Sequence, residues 1–93
     1  MDRAAHFKFL DEKLKALFAI VRPSLSELQA ENVRLFIEAT EYGLALEEIT
    51  GWVVEETKPF PAEALELAEE AAAAMGTQDD EYLQALRQRE RDS

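Results

Sequence analysis

The fold of this chain is decided first by residues 7–21, which read FKFLDEKLKALFAIV. Apolar side chains recur in this stretch at every third or fourth position, the period of one face of an α-helix. The stripe consists of Phe7, Leu10, Leu14, Leu17, Phe18 and Val21. Asp2 is placed to cap the start of such a helix, and Pro23 disfavours helical geometry at Arg22. We therefore expect a helix over about 3–21 that buries this stripe, Phe7 included.

The helical period continues after Pro23 and is interrupted only by turn-forming residues. Ser26 with Gln29 is a candidate capping box, and Gly43 and Gly76 are expected to end helices in the left-handed conformation. The further helices are expected over about 26–41, 44–57, 62–75 and 80–90. Because alternation of period two is never sustained, no strand is predicted. The chain is predicted to form an all-α, compact antiparallel bundle of four to five short helices, a single domain over 1–93.

The second and third predicted helices carry features that bear on packing. The inner face of the second helix is expected to consist of Val33, Phe36, Ile37 and Thr40. A second apolar flank consists of Leu28, Leu35 and Ala39. Gly51 sits inside the third helix at a cost of about 1 kcal/mol relative to Ala, which indicates either a close helix crossing or a tolerated local weakness. Trp52 flanks the core stripe of the third helix and is expected to be buried. Phe60 lies in a proline-flanked loop.

Composition and charge exclude several classes of function. The chain has 93 residues, of which 20 are acidic and 10 are basic, so its net charge is −10. Binding to nucleic acids or anionic membranes depends on clustered Lys and Arg, so neither partner is expected. There is no Cys and one His, which disfavours thiol chemistry and His- or Cys-ligated metals. No signal-peptide or membrane-spanning pattern is visible, so a cytoplasmic location is expected.

Catalysis is not expected either. The serines after Pro23 are interpreted as helix caps, since no positioned base accompanies them. The acidic group Glu66, Glu69 and Glu70 lacks the histidines of a di-iron bundle, and no glycine-rich phosphate loop is present. We therefore expect no enzyme and no cofactor.

The acidic excess is concentrated in the middle of the chain. Residues 23–86 hold 15 acidic and two basic residues, between two mildly basic ends. Helical geometry turns these carboxylates away from the core, where they either keep the bundle soluble or meet a basic partner in fast, salt-sensitive association. The candidate partner-binding residues are the acidic Glu27, Glu31, Glu38, Glu47, Glu48 and Glu55, with Trp52 and Phe60 as candidate interface anchors.

A family likeness appears between Phe36 and Gly76, in FIEATEYGLALEEITGWVVEE and PFPAEALELAEEAAAAMG. This run resembles the small bacterial MafI-type immunity proteins of polymorphic toxin systems. The matching residues are Glu41, Gly43, Ala45, Leu46, Glu47, Trp52, Glu55, Pro61, Met75 and Gly76. The resemblance implies a cytoplasmic inhibitor that binds its cognate toxin domain, often a nuclease, and so protects the producing bacterium.

The charge argument supports the same kind of partner independently. A nuclease presents a basic, phosphate-binding surface, which an acidic protein is able to occupy. The leading hypothesis is therefore a stoichiometric inhibitor that occludes a basic site on a protein partner.

Two alternatives remain open from the sequence. The string EYGLALEEI also resembles one hairpin of a tetratricopeptide array, which suggests a helical adaptor, although such arrays need several copies and one is visible. A small oligomeric bundle is the other alternative, because Phe9, Ala16 and Ile20 form a second face of the first helix that would support a homodimer.

Overall fold

Five α-helices make up the fold in a computed structural model that describes residues 2–93. They are α1 (Arg3–Val21), α2 (Glu27–Glu38), α3 (Tyr42–Glu55), α4 (Ala62–Met75) and α5 (Glu81–Asp92), with one turn of 3-10 helix at Arg22–Ser24. No strand occurs in residues 2–93. The predicted all-α bundle is confirmed.

Local side-chain chemistry sets several helix ends as the sequence predicts. The Asp2 carboxylate accepts a hydrogen bond from the Ala5 backbone N–H at 2.8 Å, which caps α1. Ser26 and Gln29 form the reciprocal capping box, each side chain accepting from the other's backbone N–H. Gly76 adopts the left-handed conformation, with φ of 71°, at the end of α4. These ends are predictable because each depends on neighbours a few residues away.

The junction between α2 and α3 differs from the prediction. Helix α2 ends at Glu38 rather than near 41, and Thr40 takes the left-handed conformation, with φ of 56°, that Gly43 was expected to take. The Glu41 N–H donates to the Phe36 carbonyl at 2.8 Å and closes the end of α2. Thr40 is therefore exposed, and Gly43 lies in the first turn of α3.

The central helix of the bundle is α3, which contacts all four of the others. Leucines of α1 pack against alanines of α4, while α2 and α5 cover further sides of α3. The innermost side chains include Leu14, Leu17, Val33, Ile49, Val53, Leu83 and Leu86. Within residues 2–93, none of the helices is both long enough and apolar enough to cross a lipid bilayer.

Several apolar side chains lie farther from the core than the periodicity predicts. Phe7 is 40% exposed, because burial along α1 begins only at Leu10 and the first turns extend past the core. Leu28 and Leu35 are exposed, since α2 turns its opposite face toward α1 and α3. On the second face of α1, which the sequence offers as a possible dimer seam, Phe9 and Ile20 are partly buried against the core.

Candidate partner-binding cleft between α3 and α5

Helix α5 lies against α3 at Gly51, the residue at which the sequence suggests a close helix crossing. A Cβ atom built on Gly51 would lie 3.3 Å from Cε2 of Tyr82, so the tyrosine ring packs directly on the backbone of α3. The Tyr82 hydroxyl donates a hydrogen bond to Oε1 of Glu55 at 3.0 Å. The glycine therefore admits Tyr82, and Glu55 holds the far end of its ring.

Both ends of α5 are held in place. The Asp80 carboxylate accepts hydrogen bonds from the N–H groups of Tyr82 and Leu83, which caps the helix start. Farther along the helix, the Arg89 guanidinium donates to the carbonyls of Lys58 and Val53 at 2.7 and 3.2 Å. These carbonyls belong to the end of α3 and the loop after it, so Arg89 ties the two helices together.

The space between the two helices forms a small cleft of about 180 Å³. We call it the α3–α5 cleft; its lining comprises Glu47, Glu48, Gly51, Trp52, Glu55 and Tyr82. Trp52 is half-buried, and its indole Nε1–H donates to Oε2 of Glu48 at 2.9 Å. Contrary to the expectation of plain burial, Trp52 lies outside the hydrophobic core cluster of residues 2–93 and lines the cleft instead.

The α3–α5 cleft is strongly negative. Of the six ion pairs within residues 2–93, none involves Glu47, Glu48 or Glu55. The hydrogen bond to Glu55 raises the pKa of the Tyr82 phenol, and the negative charges of Glu55, Glu47 and Asp80 raise it further. The cleft therefore combines two aromatic side chains with three carboxylates that no neighbouring cation neutralises, an arrangement suited to a cationic group.

A second cavity adjoins the first at Glu47 and has a volume of about 300 Å³. We call it the Leu44 pocket; its lining includes Leu44, Leu46, Glu47, Thr50, Asp80 and Leu83. The Thr50 hydroxyl donates to the Leu46 carbonyl at 3.0 Å, so it is already satisfied inside α3. Most of the remaining wall is apolar, while Glu47 and Asp80 supply its carboxylates.

The predicted acidic residues of α2 lie elsewhere. Glu27 and Glu31 line a separate groove of about 730 Å³ between α1 and α2, together with Arg22 and Arg34. Arg34 pairs with both Glu31 and Glu38, and its hydrogen bond lowers the pKa of Glu31. The α2 face therefore mixes charges of both signs, unlike the α3–α5 cleft.

Phe60, the second candidate anchor, is not part of the cleft. It is half-buried in the connection between α3 and α4 and packs against the core cluster. The structure thus brings together four of the eight predicted partner-binding residues, namely Glu47, Glu48, Trp52 and Glu55.

On the outer side of α4, two of three neighbouring glutamates have cationic partners. Glu69 pairs with Arg87, and Glu70 lies 2.8 Å from Nζ of Lys13. The part of the chain that the structure describes contains no group of three or more His, Cys, Asp or Glu residues arranged to hold a metal ion.

Sequence reasoning missed Tyr82 as a residue of the α3–α5 cleft and Leu44 as a residue of the adjoining pocket. Gly51 indicates that another helix approaches α3 closely, but nothing near it in the sequence identifies Tyr82 as the side chain that does so. The identity of that side chain depends on contacts 31 positions apart in the sequence. Neither a protein-family model, nor a curated protein, nor a solved structure matches this chain.

Proposed function

We propose that this chain is an acidic immunity protein that binds a cognate bacterial toxin domain in the cytoplasm and neutralises it by occluding a basic surface. The observation that carries the proposal is the α3–α5 cleft, in which Glu47, Glu48 and Glu55 surround Trp52 without a cation within residues 2–93. The resemblance between residues 36 and 76 supports the same reading, because it includes one whole wall of this cleft.

The electrostatics of this surface support a basic protein partner. Unpaired carboxylates that line one cleft repel each other, and a cationic surface relieves that repulsion while speeding diffusional encounter. An aromatic side chain at the centre of such a patch supplies the apolar contact area that charges alone lack. Trp52 fits this role because it is half-buried and oriented by Glu48.

Inhibition in this proposal is steric. Enzymes that act on nucleic acids bind phosphates with Lys and Arg, and a protein seated on those side chains excludes the substrate. The inhibitor needs no catalytic group of its own, and its stoichiometry with the toxin is one to one.

The first test is capture and reconstitution. The tagged chain is used to capture partners from the bacterium that encodes it, with elution by increasing salt. A supporting result is a single basic partner that elutes at raised salt, is toxic when expressed alone, and loses its activity in proportion to added inhibitor. A stoichiometric partner whose contact surface is acidic would contradict the proposal.

The second test locates the interface with two variants that remove equal charge. Glu47→Gln/Glu48→Gln/Glu55→Gln keeps the hydrogen-bond acceptors for Trp52 and Tyr82 but removes three charges from the cleft. The matched control, Glu12→Gln/Glu63→Gln/Glu66→Gln, removes three charges from exposed positions of α1 and α4. We expect the cleft variant to bind the captured partner at least about tenfold more weakly and the control to change affinity by less than about threefold. Equal losses would mean that net charge alone, and not the cleft, drives binding.

A further inference from the structure

We infer that the α3–α5 cleft takes an arginine side chain of the basic partner, stacked against Trp52 and Tyr82 and neutralised by Glu47, while the Leu44 pocket takes a neighbouring apolar side chain. This inference deepens the proposed function and rests on it for the nature of the partner. It goes further by naming the chemical group that each cavity recognises.

The aromatic walls of the cleft are held in position before a ligand arrives. Glu48 accepts from the indole N–H of Trp52, and Glu55 accepts from the hydroxyl of Tyr82. Cations bind favourably against aromatic rings, and Trp is the strongest such partner. Because both rings are tied to carboxylates on α3, little side-chain freedom is lost when a cation enters.

Glu47 is the carboxylate available to the bound cation. Glu48 and Glu55 each already accept a hydrogen bond from an aromatic side chain, whereas no hydrogen bond or ion pair engages the Glu47 side chain within residues 2–93. Glu47 also lines both cavities, so a group bound to it lies beside both. A carboxylate matches the planar fork of a guanidinium, which donates two parallel hydrogen bonds.

The size and chemistry of the cleft favour arginine over other cations. A cavity of about 180 Å³ is smaller than the usual site for a drug-sized molecule and suits the end of one long side chain. A guanidinium is planar and weakly hydrated, so it stacks on aromatic rings more readily than a lysine ammonium does. A metal ion is disfavoured because the described chain has no group of ligands arranged to hold one.

The Leu44 pocket fits an apolar neighbour of that arginine. Leu44, Leu46 and Leu83 line it, and Leu44 is 45% exposed. The Asp80 carboxylate beside it is already engaged as the cap of α5. The adjoining cavities therefore match an arginine next to an aliphatic residue in the partner.

The test uses Trp52 as a built-in reporter, because it is the only tryptophan in the chain. The indole N–H resonance of the labelled protein is followed during titration with argininamide, with lysinamide, and with citrullinamide, whose side chain has nearly the shape of arginine but is uncharged while its α-amino group is the same. We expect a saturable shift with argininamide, about tenfold weaker binding of lysinamide, and no saturable shift with citrullinamide. Glu47→Gln is expected to weaken argininamide binding about fivefold, and the exposed control Glu66→Gln to leave it unchanged.

The Leu44 pocket is tested with arginyl-leucinamide and arginyl-serinamide. We expect the leucine-containing ligand to bind more tightly to the natural protein, and the two to bind equally to Leu44→Ala. The rest of the amide spectrum of each variant shows whether its fold is intact.

Each outcome separates this inference from the proposed function. No saturable shift with argininamide, equal shifts with argininamide and citrullinamide, or unchanged affinity in Glu47→Gln would overturn the arginine assignment, even if a toxin is neutralised. Saturable argininamide binding that depends on Glu47 upholds the assignment, even if no toxin partner is captured.

Discussion

Because Gly51 has no side chain, the Tyr82 ring is able to lie directly on α3. A Cβ atom at this position would be 3.3 Å from Cε2 of Tyr82. Gly51→Ala gains about 1 kcal/mol of helix propensity, and we expect displacement of the ring to offset most of it. In a Tyr82→Ala background, the same substitution is expected to stabilise the protein by about 1 kcal/mol. Urea denaturation of the four proteins in this cycle measures the difference.

Gly43→Ala is the matched control, because its Cβ would lie an ordinary 3.9 Å from Sδ of Met75. We expect it to stabilise the protein by about 0.5 kcal/mol whether or not Tyr82 is present. A gain of about 1 kcal/mol from Gly51→Ala with Tyr82 in place would contradict the tight contact.

Glu56 is a residue whose protonation couples to folding. Its carboxylate accepts a hydrogen bond from Gln29 and lies 3.0 Å from Nζ of Lys58. The hydrogen bond from Gln29 is the main cause that lowers the pKa of Glu56 below its ordinary value of 4.5, and the hydrogen bond from Lys58 lowers it further. A lowered pKa stabilises the folded state above the unfolded-state pKa, and this contribution disappears as the pH falls through the folded-state pKa.

We therefore expect Glu56→Gln to lower the Tm at neutral pH and to have a shrinking effect as the pH falls below about 4.5. Circular dichroism melts of both proteins between about pH 7 and pH 3 measure the difference. An undiminished difference at the acid end would show that Glu56 acts through packing rather than charge. Glu66→Gln, on an exposed part of α4, controls for the loss of one negative charge.

At the scale of the helices, α2, α3 and α4 end in the same hydrogen-bonded motif. The donors are the N–H groups of Glu41, Lys58 and Thr77, and each donates to the carbonyl five residues earlier in the chain. The residue before each donor has positive φ: it is glycine after α4 but Thr40 and Thr57 after α2 and α3. The left-handed conformation costs a residue with a Cβ about 1–2 kcal/mol, part of which glycine avoids.

Thr40→Gly and Thr57→Gly are therefore each expected to stabilise the protein by about 0.5–1 kcal/mol, measured by urea denaturation. Thr77→Gly is the matched control, since Thr77 follows the left-handed position and has no positive φ. We expect that substitution to be neutral or destabilising. Because glycine adds conformational freedom to the unfolded chain, stabilisation by all three would show that relief of the left-handed conformation is not the cause.

At the scale of the whole molecule, excess negative charge opposes folding. The net charge is −10 in a body of 37 × 28 × 19 Å, and all six ion pairs of residues 2–93 have partly exposed partners. Surface pairs contribute at most about 1 kcal/mol each, whereas repulsion acts over the Debye length of about 10 Å at 0.1 M salt. We expect the Tm to rise when NaCl is raised from about 10 mM to about 200 mM.

The variant Glu12→Gln/Glu63→Gln/Glu66→Gln is expected to show a smaller rise, because it carries three fewer negative charges. A Tm that falls with salt would mean that the ion pairs outweigh the repulsion.

The sequence by itself determined the all-α fold, a bundle of four to five helices, and most of the helix ends. The caps at Asp2, at Ser26 with Gln29, and at Gly76 follow the prediction because each is completed within a few residues. The spacing of apolar residues likewise identifies most of the core, since a helix brings residues three and four positions apart onto one face. The concentration of carboxylates on α3 is also visible in the sequence alone.

Only the tertiary structure decided how these faces are used. Helix α2 ends at Glu38, earlier than predicted, because the Glu41 N–H closes onto the Phe36 carbonyl. Trp52 and Tyr82 line one cleft because α4 carries the chain back so that α5 packs on α3 at Gly51. Residues 30 positions apart meet only through the packing of whole helices, which depends on the combined shape of many side chains and not on any local pattern. The sequence thus determines which carboxylates exist, and packing determines which of them remain without a cation.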